Sequence, residues 1–84
     1  MKKLSIKIYD KNNRLRRYRT TAERLKIVHL LRLAFDKYSP CRVVMVADYG
    51  RHEDVFGKMV RFTNEVVCHN HHDARLAFEA FWDA

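Results

Sequence analysis

Arg42-Val43-Val44-Met45-Val46-Ala47-Asp48-Tyr49 decides the fold class. Both alternating sets of positions are mostly apolar, so the stretch reads as a central strand, covered on two sides or shielded by neighbouring side chains. Just before it, Ser39-Pro40 ends the preceding element, because proline disfavours helical geometry at the residue ahead of it. That element is helical. At about 100° per residue, Ile27, Val28, Leu30, Leu31, Ala34, Phe35 and Tyr38 share one broad face, with Lys26, Arg32, Asp36 and Lys37 opposite. Thr20 followed three residues later by Glu23 fits a capping box, which predicts a helix over Thr21 to Tyr38.

Further upstream, Leu4, Ile6 and Ile8 alternate with Lys3, Ser5, Lys7 and Tyr9, the period of a strand with one buried and one wet face. Asp10-Lys11-Asn12-Asn13 offers a turn, and Arg14 to Arg19 returns as a hairpin partner. Leu15 and Tyr18 are three apart, so this strand either carries a bulge near Arg16-Arg17 or turns only one of the two inward. Downstream of the central strand, Gly50-Arg51-His52-Glu53-Asp54 reads as a loop. Val55 to Thr63 reads as a strand with Phe56, Val60 and Phe62 inward, and Glu65 to His69 as its continuation or a short further strand. Asn70 with Asp73 forms a second cap, after which Ala74, Ala77, Phe78 and Phe81 recur at helical spacing. The order β-β-α-β-β-(β)-α implies an α+β fold in one domain over residues 1–84. Its sheet is antiparallel or mixed, with two helices packed on one face.

The 84 residues suffice for one core and no more. Hydrophobic residues at 48% and charged residues at 32% are a globular balance, and two glycines and one proline leave no linker or repeat. Met1-Lys2-Lys3-Leu4-Ser5-Ile6-Lys7 places charges where a signal peptide needs a continuous apolar run, and nothing approaches a membrane span. A cytoplasmic location is therefore expected, with Cys41 and Cys68 as reduced thiols.

The net charge of +7 is unevenly distributed. Residues 1–37 hold twelve Lys/Arg and three Asp/Glu, a net +9, whereas residues 38–84 hold five and seven, a net −2. The first hairpin concentrates Lys2, Lys3, Lys7, Lys11, Arg14, Arg16, Arg17 and Arg19 around Tyr9 and Tyr18, and Arg24, Lys26 and Arg32 continue the basic character on the helix. Guanidinium groups bind phosphates bidentately and tyrosine rings stack on bases. Crowded cations also repel one another unless a polyanion compensates them. A second candidate surface is the strip Ala22, Leu25, His29 and Leu33, which lies away from the core-facing side, along the polar side of the helix, and would serve as a protein interface unless the C-terminal helix or its Phe81-Trp82 end covers it.

Cys68-His69-Asn70-His71-His72-Asp73 is rich in metal ligands, but it lacks the two spaced pairs that zinc uses and reads as a strand end leading into a helix cap. Neither a phosphate-cradling glycine loop nor a nucleophile elbow occurs. The expectation is thus a non-enzymatic binding protein with no cofactor, no metal and no membrane partner. Its site would be Lys3, Lys7, Lys11, Arg14, Arg16, Arg17, Arg19, Tyr18 and Lys26, and its partner nucleic acid or a nucleoprotein complex with acidic surface. Its size and expected cytoplasmic character also fit small bacterial or phage accessory proteins, including anti-CRISPR-like inhibitors of host defence, an association that fold and composition do not themselves specify. One rival is a small ribonuclease toxin using His52, His71 or His72 as acid and base. Another is a homodimeric scaffold joined through Leu25, His29 and Leu33.

Overall fold

Two hairpins and two helices, in the order β-β-α-β-β-α, make up the computed structural model, which describes residues 3–82. They are β1 (Lys3–Asp10), β2 (Leu15–Thr21), α1 (Arg24–Lys37), β3 (Cys41–Glu53), β4 (Met59–Cys68) and α2 (His71–Trp82). The strands form one sheet in the order β2-β1-β3-β4, and every neighbouring pair is antiparallel. The fold is α+β, as the sequence implies. Among the described residues, no helix is long and apolar enough to cross a membrane.

The pleat explains where the core lies. Leu4, Ile6 and Ile8 of β1 stand opposite Ala47, Met45 and Val43 of β3, so six apolar side chains line one face in three rows. Ile27, Leu31 and Ala34 of α1 and Ala74 and Phe78 of α2 close over that face, together with Cys41 and Cys68. Burying an isoleucine, leucine or phenylalanine in this way contributes about 1.5–3 kcal/mol each before chain entropy is counted. Phe81 and Trp82 pack on the margin of the core, with Trp82 5.7 Å from the Phe78 ring. The opposite face of the sheet carries no helix. There Val44 and Val46 are half-buried, flanked by Lys7 and Ser5 on β1 and by Val67 and Glu65 on β4.

Several local expectations need correction. The helix begins at Arg24 rather than Thr21, and Thr20 and Glu23 form no capping box. Thr20 belongs to β2, and its hydroxyl is engaged by Ser5 Oγ at 2.8 Å and by the Tyr18 hydroxyl at 3.2 Å. Thr21 Oγ1 instead accepts the backbone N–H of Glu23 at the start of the helix. The bulge does occur: Ile8 pairs with Arg17 and Tyr9 with Leu15, which leaves Arg16 as the extra residue. Leu15 and Tyr18 consequently both lie on the helix-free face, opposite Tyr9 and Lys7. At the second cap, Asn70 Oδ1 accepts the Asp73 backbone N–H at 2.8 Å, as its spacing predicts.

The largest correction concerns the second hairpin. Residues 50–53 are not a loop but the end of a thirteen-residue β3, and the turn lies at Asp54–Lys58. Val55 and Phe56 sit in that turn, 93% and 86% exposed, and β4 is one continuous strand. Val60 and Phe62 are exposed rather than inward, because neither helix extends over this part of the ribbon.

Candidate nucleic-acid interface

The first hairpin turns on a single carboxylate. Asp10 Oδ1 accepts the backbone N–H groups of Asn12 at 2.9 Å and Arg14 at 3.0 Å, and Asn13 adopts the left-handed conformation at φ 62°. Asparagine tolerates that conformation better than most residues. The Arg14 N–H, opposed in part by burial and aided by the Asn12 N–H and Arg16, holds the Asp10 carboxyl below its usual range. Lys11 and Arg14 stand exposed at this turn.

From the turn onward, the pleat divides the basic residues between two faces. Lys3 and Lys7 alternate with the buried Leu4, Ile6 and Ile8, so they lie on the helix-free face. Tyr18 stands opposite Lys7 there, its ring 5.7 Å from the Lys7 ammonium. Hydrogen bonding to Thr20 and then Ser5 holds the Tyr18 phenol below its usual range. Arg17 and Arg19 stand opposite Ile8 and Ile6 and therefore project to the helix side, at the free edge of the sheet. Arg16, in the bulge, lies 3.8 Å from Asp10 Oδ2 and 5.6 Å from the Tyr38 ring. Arg17 hydrogen-bonds the Tyr38 hydroxyl and lowers its pKa. Lys2 lies outside the described residues.

The helix side is where cations converge. Arg17 and Arg19 from β2 and Lys26 and His29 from α1 line a groove of about 360 Å³ together with Leu30 and Leu33; Tyr18 borders it in sequence between the two arginines, but its ring faces Lys7 on the other side of the sheet. Among the described residues, no carboxylate lines it. Glu23 pairs with Lys26 at 3.0 Å on the exposed helix surface, an arrangement worth little in water. The structure thus joins Arg17, Tyr18, Arg19, Lys26, His29 and Leu33, which the sequence assigned to two separate surfaces. Leu25 stands apart, 73% exposed and outside the groove.

On the helix-free face, a residue absent from the sequence-based site joins the array. The Arg42 guanidinium lies 4.5 Å from the centre of the Tyr9 ring and donates to Asn13 Oδ1 at 2.6 Å. Its position was readable, since Arg42 alternates with Cys41 and Val43, but only the pairing of β1 with β3 sets it beside Tyr9.

The histidines are scattered. His52 packs on Phe62 at 5.6 Å and bonds the Tyr49 carbonyl oxygen at 2.9 Å, far along the second hairpin, while His71 packs on Phe35 at 5.8 Å at the start of α2. Cys41 and Cys68 are buried and unpaired, and burial pushes both thiols up. Among the described residues, no group of three or more His, Cys, Asp or Glu side chains gathers as a metal site. No protein-family model matches this chain, and comparisons with curated proteins and with solved structures find no match.

Proposed function

We propose that this protein is a non-enzymatic nucleic-acid-binding protein that holds a strand's phosphates in the groove between β2 and α1. The observation that carries the reading is the convergence of Arg17, Arg19 and Lys26 on one groove without a lining carboxylate among the described residues. Three cations so placed repel one another, and a phosphate backbone relieves that repulsion while releasing condensed counterions. Leu30 and Leu33 give the groove an apolar floor against which sugar and base edges can rest. Binding rather than cleavage is favoured because His29 is the sole histidine of the groove, whereas acid–base cleavage of RNA calls for two proton-transfer groups about one phosphate.

Fluorescence anisotropy with labelled single-stranded RNA and DNA tests this. Three phosphate contacts predict that log K falls with log salt concentration at a slope of about −2. Replacing Arg17 and Arg19 together by Glu abolishes binding while circular dichroism stays unchanged. Affinity indifferent to salt, or unaltered in the folded double variant, overturns the proposal.

A further inference from the structure

The two edges of the sheet differ in kind. β2 is an edge strand with three arginines and a bulge, features that discourage strand addition by charge and by geometry. β4, the other edge, has neither. Its ten residues, Met59-Val60-Arg61-Phe62-Thr63-Asn64-Glu65-Val66-Val67-Cys68, contain no proline or lysine, and Arg61 and Glu65 cancel in charge. The register shift beside it belongs to β3, which has one extra residue between Asp48 and Arg51, so β4 itself runs regularly. One side of β4 bonds to β3, and among the described residues the backbone groups on its other side have no strand partner. Met59, Val60, Phe62, Val66 and Val67 along it are 38–64% exposed. A long, regular, apolar edge of this kind calls for an explanation beyond the folding of the monomer.

We propose that β4 pairs antiparallel with β4 of a second copy of this chain, about a two-fold axis through Thr63. The choice of partner rests on self-complementarity. A two-fold axis normal to the sheet pairs residues of equal parity, and centring it on Thr63 sets Arg61 opposite Glu65 of the second copy, and the reverse. It also sets Val60 opposite Val66 and Met59 opposite Val67. Moving the axis by one residue loses this match, placing either Met59 against Glu65 or Arg61 against Val67. Glu65 has no ion-pair partner among the described residues, and Arg61 bonds Asp48 from the outer face while remaining 64% exposed at its side chain. Each cross-copy pair therefore gives Glu65 the counter-charge it lacks.

The same register fills a cavity. Asn64 and Val66 of β4, with Ala77, Ala80 and Phe81 of α2 and Tyr49 of β3, line an apolar hollow of about 320 Å³ beside the free edge. Phe62 of the second copy stands directly opposite Asn64 on that helix-bearing face. Its ring, otherwise 46% exposed, is at the mouth of the hollow and occupies it. The result is one eight-stranded sheet, with the exposed Val55-Phe56 turn of each copy reaching the level of residues 70 and 71 of the other, where α2 begins.

Sedimentation equilibrium of the full chain from low-micromolar to near-millimolar concentration is the first test, and twice the chain mass is expected. Glu65→Arg and Arg61→Glu each create two like-charge pairs at the axis and weaken the dimer by about a hundredfold or more. Mixing the two variants restores opposite pairs at both positions and yields a heterodimer. Phe62→Ser weakens the dimer without lowering the melting temperature of the monomer. Thr63→Cys, with the native cysteines buried, forms an intermolecular disulfide on mild oxidation, since the two Cα atoms of a directly opposed pair lie within bonding range. A chain that stays monomeric throughout overturns the proposal. So does a dimer that survives Glu65→Arg, or one in which Thr63→Cys fails to cross-link.

Discussion

The two hairpins of this sheet turn on the same device and present opposite chemistry. In Asp10-Lys11-Asn12-Asn13-Arg14, the aspartate carboxylate accepts the N–H groups of the second and fourth residues after it, and Asn13 is left-handed at φ 62°. In Asp54-Val55-Phe56-Gly57-Lys58, Asp54 Oδ1 accepts from Phe56 at 2.8 Å and Lys58 at 2.9 Å, and Gly57 is left-handed at φ 79°. The backbone bonds agree as well: Asn13 donates to the Asp10 carbonyl at 2.9 Å and Gly57 to the Asp54 carbonyl at 3.1 Å. The turn therefore constrains its first and fourth positions and leaves the two between them free. Lys11-Asn12 in one and Val55-Phe56 in the other are consequently choices about surroundings. A basic tip suits water and anions, whereas a bare valine and phenylalanine suit an apolar partner surface.

The comparison is sharpened most by the apolar side chains of the two hairpins. Ile6, 1% exposed in the first, is core, and Ile6→Ala should cost about 2–5 kcal/mol in urea unfolding. Phe62 in the second should cost the monomer less than about 1 kcal/mol when replaced by Ala. A large loss at Phe62 under conditions where the chain is monomeric would mean that the second hairpin has a core of its own.

A smaller effect is expected from exchanging the tips. Val55→Lys, Phe56→Asn and Gly57→Asn together write the first turn into the second, and the melting temperature should barely change, because Asn supports the left-handed position. Changing Gly57 to Val instead places a β-branched residue at φ 79° and costs roughly 1–2 kcal/mol. If the tip exchange melts the ribbon as far as Gly57→Val does, the two turns are not equivalent.

The smallest effect is in acid. The Arg61 hydrogen bond, with the Gly50 N–H, holds Asp48 below its usual range in the second hairpin, as the Arg14 N–H holds Asp10 in the first. A carboxyl whose folded pKa is lowered adds stability that is present above the unfolded value of about 4 and is lost as pH falls through the folded value. Asp48→Asn and Asp10→Asn should each flatten the acid limb of a stability–pH curve slightly, without altering it near neutrality.

Most of the fold was legible in the sequence. The 4/6/8 alternation, the 43/45/47 set of the central strand and the helical spacing from Ile27 to Phe35 place side chains in the core as expected, while Val44 and Val46 lie half-buried on the helix-free face. Capping was misread at Thr20 because a threonine before a helix can equally end a strand, and here cross-strand partners take its hydroxyl. Val60 and Phe62 carry the inward pattern of a buried strand, yet which strands a helix covers is a tertiary fact that periodicity does not contain. The matching spacing of Asp10 to Asn13 and Asp54 to Gly57 was the available signal that Val55 and Phe56 belong to a turn. At the candidate site, the charges were evident but their faces were not. A bulge reverses the parity of everything before it, and its position depended on how β1 and β2 pair.

That bulge is the place where the length of β2 can change without turning its other side chains to the wrong face. Point substitutions along Leu15–Thr21 can accumulate one at a time, each answering for a single side chain. Deleting Arg16, the extra residue, would only remove the bulge and leave Leu15 opposite Tyr9 and Arg17 and Arg19 opposite Ile8 and Ile6, whereas deleting Tyr18 would let Arg19 keep its place opposite Ile6 only by carrying Arg17 opposite Lys7, off the groove and onto the other face. In the descent of such a sequence, this hairpin would tolerate wide drift in letters, and a change in their number at the bulge alone.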